Sequence, residues 1–283
     1  MTDNELELMS LGTELQLETG AFPLVLAGHG VEAATMHGGV DAVDAWVAAR
    51  RDDIDTLLGV HGAILFRGFP IASAEGFDRF VQAFDYPSFR YEDSPSSTLR
   101  VDRTERVYSV DETRPDIEIP MRHELAQTPV HPSRLFLYCE RPSEEAGTTP
   151  ICRSDILWQR IKAELPEFAA AAEARGLLYT HVMPNGGEVD SAQGRSWRDT
   201  FLADSREAAE ARMRALGYRW EWLEDGSLRA TTPTLPAVRT LEDGRQVFFN
   251  QLIAEFGARE DTRNGPADPI TFGDGAPLDH EAV

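Results

Sequence analysis

The strongest constraint on the fold is a change in hydrophobic period along the chain. Up to Phe84 the apolar residues mostly recur at helical intervals, whereas from Val107 they fall into short runs separated by turn residues. Between Asp155 and Gly217 the helical period returns, in Ala- and Glu/Arg-rich stretches such as FAAAAEARG and SREAAEARMRALG. Strand character resumes near Trp220 and at QVFFNQL. The pattern predicts a mixed, mainly β protein: a jelly-roll (double-stranded β-helix) core with flanking helices and a helical insert over about 155–217. No internal repeat, low-complexity tract or long linker divides the sequence, so one domain over 1–283 is expected.

Individual segments sharpen this reading. FPLVL (22–26) is an apolar strand leading to a helix with Val43, Trp46, Val47, Ile54, Leu57 and Leu58 at helical spacing, which Gly59 should stop. HGAILFRGF (61–69), apolar between glycines, suits a central strand. Ser73 is an expected N-cap for an amphipathic helix presenting Phe77, Phe80, Val81 and Phe84. VYSV, IEIPM and RLFLYCE read as short strands. Trp220 and Trp222, two apart on a strand, should share one face as core or pocket wall.

Charge and composition exclude several functions. With 27 Lys and Arg against 48 Asp and Glu, the net charge of −21 repels polyanions and anionic membranes. Neither nucleic acid nor a membrane is an expected partner. The acidic N-terminus lacks signal-peptide character and no apolar run is long enough to span a bilayer, which predicts a cytoplasmic location. Cys139 and Cys152 form no CxxC and sit among strand formers, so both are read as buried small hydrophobes.

The catalytic motifs with fixed spacing are absent. His123-Glu124 opens an HExxH pattern, but position 127 is Gln and prolines flank the stretch. Gly28-His29-Gly30 lacks the third glycine of a dinucleotide loop and reads as a turn. There is no P-loop and no GxSxG elbow. No two of the seven histidines stand two or four apart for shared metal binding. What remains is His123 beside Glu124, the residue types of a facial-triad iron centre. On a strand, however, neighbours diverge and only i and i+2 share a face, and the residue two before Glu124 is Arg122.

Read together, HGAILFRGF, VYSVDETRP (107–115), IPMRHELAQTPVHPSRLFLYCERP (119–142), AGTTPICRS (146–154), Trp197 to Phe201, Trp220 to Arg229 and VFFNQ (247–251) leading to FGDGAPL resemble the TauD/TfdA-like Fe(II)/2-oxoglutarate dioxygenases. The likeness is to their syringomycin-biosynthesis-like branch, and it covers nearly the whole chain. It implies an amino-acid hydroxylase of specialised or antibiotic metabolism, using Fe(II) and 2-oxoglutarate on a small-molecule or carrier-tethered amino acid. With Pro132 eight residues after Glu124 fixing the register, the resemblance puts the carboxylate ligand on Glu124 and the proximal metal histidine on Arg122. It puts the 2-oxoglutarate threonine on Thr149, with Arg153 where the family usually has Asp.

A guanidinium has no lone pair to offer a metal, so two arrangements are open. Arg122 pairs with Glu124 in a former metal site, or a bulge swings His123 into the ligand position. Family members also continue past the GDG turn with closing strands, a second metal histidine and an arginine for 2-oxoglutarate. After Gly275 this sequence has only His280 and no arginine, so a C-terminally incomplete barrel is expected. Arg122 and Arg153 are then candidates for recognising a carboxylate in the old cavity, in a homologue without iron chemistry.

Overall fold

The computed structural model describes residues 6–28, 41–96, 100–109, 121–142, 149–186, 195–257 and 268–278, in mixed α and β elements. Contacts gather them into two compact units: Met1–Ser88 with Asp102–Tyr108 and Phe136–Gly147, and Phe89–Val101 with Ser109–Leu135 and Thr148–Val283. Gly28 of the Gly-His-Gly turn is described, but His29 and Gly30 lie outside the described residues, as do most of the IEIPM segment, residues 146–148 and His280. No described helix is long and apolar enough to cross a membrane.

The first unit carries β1 (Leu8–Met9), β2 (Leu15–Leu17), β3 (Gly20–Phe22), β4 (Leu24–Ala27), α1 (Asp41–His61), β5 (Ile64–Arg67) and α2 (Ala74–Gln82). β4 and β5 pair in parallel, Leu24 opposite Ile64, and such a pair needs a crossover, which α1 provides. The sheet order is β1-β4-β5, so β4, buried at every position, is central and β5 is at an edge, where the glycine-flanked run suggested the reverse. α1 runs through Gly59 and ends at Gly62, whose φ of 79° suits the left-handed position after a helix and whose N–H reaches the Leu58 carbonyl at 2.8 Å. Ser73 caps α2 as expected, accepting from Gly76 N–H at 3.2 Å. The buried face of α2 meets the sheet edge-to-face, Phe66 of β5 to Phe80 at 5.1 Å, and Phe84, just past the helix, packs edge-on to Phe80 at 5.4 Å.

Residues 134–140 alternate as a strand would, with Phe136 and Tyr138 half-buried and Leu135 and Leu137 exposed. They belong to no assigned strand. Tyr138 is instead held by stacking on Phe77 at 5.2 Å and donating to the Ile71 carbonyl at 3.0 Å. Period two therefore marked an extended segment but not a ladder. Cys139 and Cys152 are both exposed, contrary to the reading as buried hydrophobes.

The second unit contains α3 (Ser154–Glu164), α4 (Pro166–Arg175), β6 (Leu177–Met183), α5 (Trp197–Phe201), α6 (Arg206–Leu216), β7 (Arg219–Trp222), β8 (Leu228–Thr231), β9 (Val238–Thr240), β10 (Gln246–Phe248), α7 (Leu252–Gly257) and β11 (Ile270–Phe272). An antiparallel sheet of order β11-β6-β8-β7 organises it. β6 lies inside the stretch expected to be helical and is an inner strand, because LLYTHVM is rich in residues that suit a pleated surface. Leu177 and Tyr179 join a core with Trp158, Phe248 and Ile270, Trp158 lying flat on Phe248 at 5.6 Å. Burying each such large side chain contributes about 2–3 kcal/mol. A second core holds Met183, Trp197, Phe201, Met213 and Leu228, with Trp220 and Trp222 forming its wall as their spacing suggested. The turn after β11 approaches the C-terminal end of α4 so closely that a Cβ on Gly273 would stand 2.1 Å from the Arg175 carbonyl oxygen.

Candidate functional site

The segment around His123 and Glu124 is a turn over residues 124–127 rather than a strand. Leu125 adopts φ of 56°, uncommon for a branched residue, while its side chain is only 1% exposed. Burial of the leucine offsets the cost of that backbone. Thr128 pins the far end, its N–H reaching the Leu125 carbonyl at 3.1 Å and its hydroxyl donating to the Val130 carbonyl at 2.7 Å. The face-sharing rule for strands therefore does not govern these two side chains.

They nevertheless diverge into separate networks. His123 Nδ1 lies 3.1 Å from the Asn250 carbonyl oxygen and Nε2 lies 2.6 Å from Ser154 Oγ. A carbonyl only accepts, so Nδ1 carries the proton and, in the neutral ring, Nε2 accepts from the serine hydroxyl. Burial pushes the His123 pKa down, which favours that neutral form. Gln251 fixes the turn from the other side: its side-chain amide donates to the His123 carbonyl at 2.8 Å, and its own N–H donates to the Tyr179 hydroxyl of β6 at 3.1 Å. Phe249 packs between His123 and His131, with ring centroids 5.0 Å from each, and burial lowers the His131 pKa as well.

Glu124 faces a different set. Tyr91 donates its hydroxyl to Oε1 at 2.6 Å and Arg100 Nη2 donates to the same oxygen at 2.9 Å. The pair is nearly out of water, with side chains 8% exposed for Arg100 and 15% for Glu124. The guanidinium also lies over the Tyr91 ring, 5.2 Å from its centroid. Burial, and then the hydrogen bond to Glu124, pushes the Tyr91 phenol far above its ordinary pKa, so it remains a donor. Arg122 is close enough for its charge to oppose that rise. The ion pair expected between Arg122 and Glu124 is thus supplied to Glu124 by Arg100.

A model of the taurine catabolism dioxygenase TauD, TfdA family matches residues 25–269. The chain belongs to the TauD/TfdA family. Relatives of this TauD/TfdA protein include the clavaminate synthase-like protein At3g21360 of Arabidopsis thaliana, 38% identical over 238 residues that cover 84% of this chain and 72% of the relative. The dapdiamide synthesis protein DdaC of Enterobacter agglomerans is 25% identical over 230 residues, 81% of this chain and 66% of its own length. The protein is therefore dioxygenase-like, and its family uses Fe(II) and 2-oxoglutarate.

The described donors of this TauD/TfdA protein do not fit an iron. Glu124 is paired with a cation, both nitrogens of His123 are bonded to Asn250 and Ser154, and Arg122, two residues before Glu124, has no lone pair to give. Among the described residues no three His, Cys, Asp or Glu side chains gather as a metal site. His123 and Glu124 face different partners in the described structure.

The remaining candidates fall elsewhere. Thr149 is exposed. Arg153 is buried and grips Asp155 with two bonds, Nε to Oδ1 at 2.8 Å and Nη2 to Oδ2 at 2.5 Å, so its charge is matched within the protein rather than offered to a ligand. Arg245 adds a third bond to Asp155 at 3.1 Å. The hydrogen bond from Arg153, followed by the attraction of its charge, brings the Asp155 pKa down to about 2. Sequence reasoning missed Tyr91, Arg100 and Ser154 as partners of the site, because their separations from Glu124 and His123 leave no local pattern. Asn250 and Gln251 stood within the VFFNQ resemblance segment, although nothing there marked their contacts.

Proposed function

We propose that this protein is a dioxygenase homologue that binds an amino acid, free or tethered to a carrier, and that this chain's centre works without iron. The observation that carries this reading is the Arg100–Glu124–Tyr91 cluster, in which the carboxylate at the family's metal position is already neutralised by a cation. A divalent ion would have to displace a guanidinium from a nearly dry pair and then sit beside Arg122. Names of the relatives, one clavaminate synthase-like and one from dapdiamide synthesis, support the amino-acid class of ligand. The double-stranded β-helix and the single domain over 1–283, both units being parts of it, belong to the same proposal.

A second reading is iron-dependent hydroxylation of that substrate class, with Glu124 and His123 on Fe(II) and Thr149 on 2-oxoglutarate. It is favoured by one detail: the Tyr91 and Arg100 bonds to Glu124 both fall on Oε1, leaving Oε2 as the oxygen that would face a metal. Anaerobic addition of Fe(II) and 2-oxoglutarate, followed by O₂, separates the two. The iron-free reading expects no charge-transfer band and no succinate. Stoichiometric iron with succinate release overturns it.

A further inference from the structure

We propose that Ser154 and His123 form a nucleophile and base for acyl transfer, acting on an activated ester or thioester of a small acyl group. The site lies within the second unit and uses no residue of the Arg100–Glu124–Tyr91 cluster. Its geometry has the three parts such chemistry needs. The hydroxyl is 2.6 Å from Nε2, the ring nitrogen free to accept, and the other nitrogen is fixed by the Asn250 carbonyl at 3.1 Å, which orients the ring as the third member of a triad does. Gln251 holds the His123 backbone at 2.8 Å, so the imidazole is anchored by its ring and by its main chain.

The serine is also positioned for this role. Ser154 opens the 11-residue helix α3, where a serine one position earlier would give its hydroxyl to the first-turn amides. Here Arg153 occupies the cap position and makes no side-chain capping bond, and the Ser154 hydroxyl points to His123 instead. The positive end of the helix dipole lies at Ser154, which favours the negative charge that develops on a carbonyl oxygen under attack. Both residues are half-buried, so the pair borders solvent rather than being sealed in the core.

The reaction balances without an oxidant. The Ser154 Oγ–H proton passes to His123 Nε2 as Oγ bonds to the acyl carbon, and the proton then leaves with the departing alcohol or thiol. Water attacks the resulting ester, giving its proton to Nε2, and the carboxylic acid departs as the Oγ–H bond is restored. An aminoacyl thioester on a carrier is a substrate of this class, and so is an aryl ester.

The test uses the full chain with p-nitrophenyl acetate, followed by peptide mass spectrometry. Acetyl is expected on Ser154, formed about a hundredfold faster than on other serines, the scale of positioned general-base help. Ser154→Ala should abolish it and His123→Gln should slow it by a similar factor. Mapping on the unmodified protein keeps the test decisive if a variant misfolds. Label absent from Ser154, no faster there than elsewhere, or undiminished in a folded His123→Gln protein overturns the proposal.

Discussion

Removing the Arg100 guanidinium is the sharpest test of how the centre is built. Arg100→Met keeps most of the side chain's bulk while deleting a charge that stands 2.9 Å from Glu124 Oε1 in a pair with side chains 8% and 15% exposed. At an effective dielectric of about 20, two unit charges at that distance attract by roughly 6 kcal/mol. Much of this is offset by the cost of drying both groups, and Glu124 keeps its bond from Tyr91 at 2.6 Å. The net loss expected for Arg100→Met is about 3 kcal/mol. Glu124→Gln alone should cost a comparable amount, because it leaves a buried guanidinium facing an amide. The double variant should lose much less than the sum, so a cycle measured by urea denaturation gives a coupling of about 2–3 kcal/mol. Coupling below about 0.5 kcal/mol would mean that the pair is not a structural ion pair, and the reason given for excluding a metal would fall with it.

Two further outcomes follow from the packing and the charges of the second unit. Asp155, with a side chain 14% exposed, has a folded pKa of about 2 against an ordinary 3.8. Its contribution of about 2 kcal/mol is fully present above pH 3.8 and lost as pH falls through 2. Asp155→Asn should remove that component from a stability–pH curve, and an unchanged acid limb would refute the assignment. Gly273→Ala places a methyl 2.1 Å from the Arg175 carbonyl oxygen and 2.5 Å from Thr234 Cγ2. Backbone cannot yield as a flexible side chain can, so a loss of about 3 kcal/mol is expected by thermal or urea unfolding. A loss under about 1 kcal/mol would mean that the turn after β11 does not lie against the end of α4 as described.

How much was legible in the sequence depended on how local each signal was. The Ser73 cap, the aromatic face of α2 and the shared face of Trp220 and Trp222 were readable because capping and periodicity act over a few residues. Gly59 misled because a glycine ends a helix only where the backbone turns left-handed, and the chain does that at Gly62. β6 was hidden by the strong helices on either side of it, and RLFLYCE alternated without finding a ladder partner, since pairing is a property of the neighbour and not of the segment.

The centre divides in the same way. By itself the sequence determined the family register, placing a carboxylate at Glu124 and a guanidinium at Arg122 where a metal ligand was expected. Only the tertiary structure decided what those residues do. It brought Tyr91 and Arg100 onto Glu124, gave both nitrogens of His123 to Asn250 and Ser154, and spent Arg153 on Asp155. The identity of an ionisable side chain is fixed by its residue type, but its partner is fixed by which distant segment the fold lays against it. A turn with one left-handed leucine was enough to send two adjacent side chains into different networks.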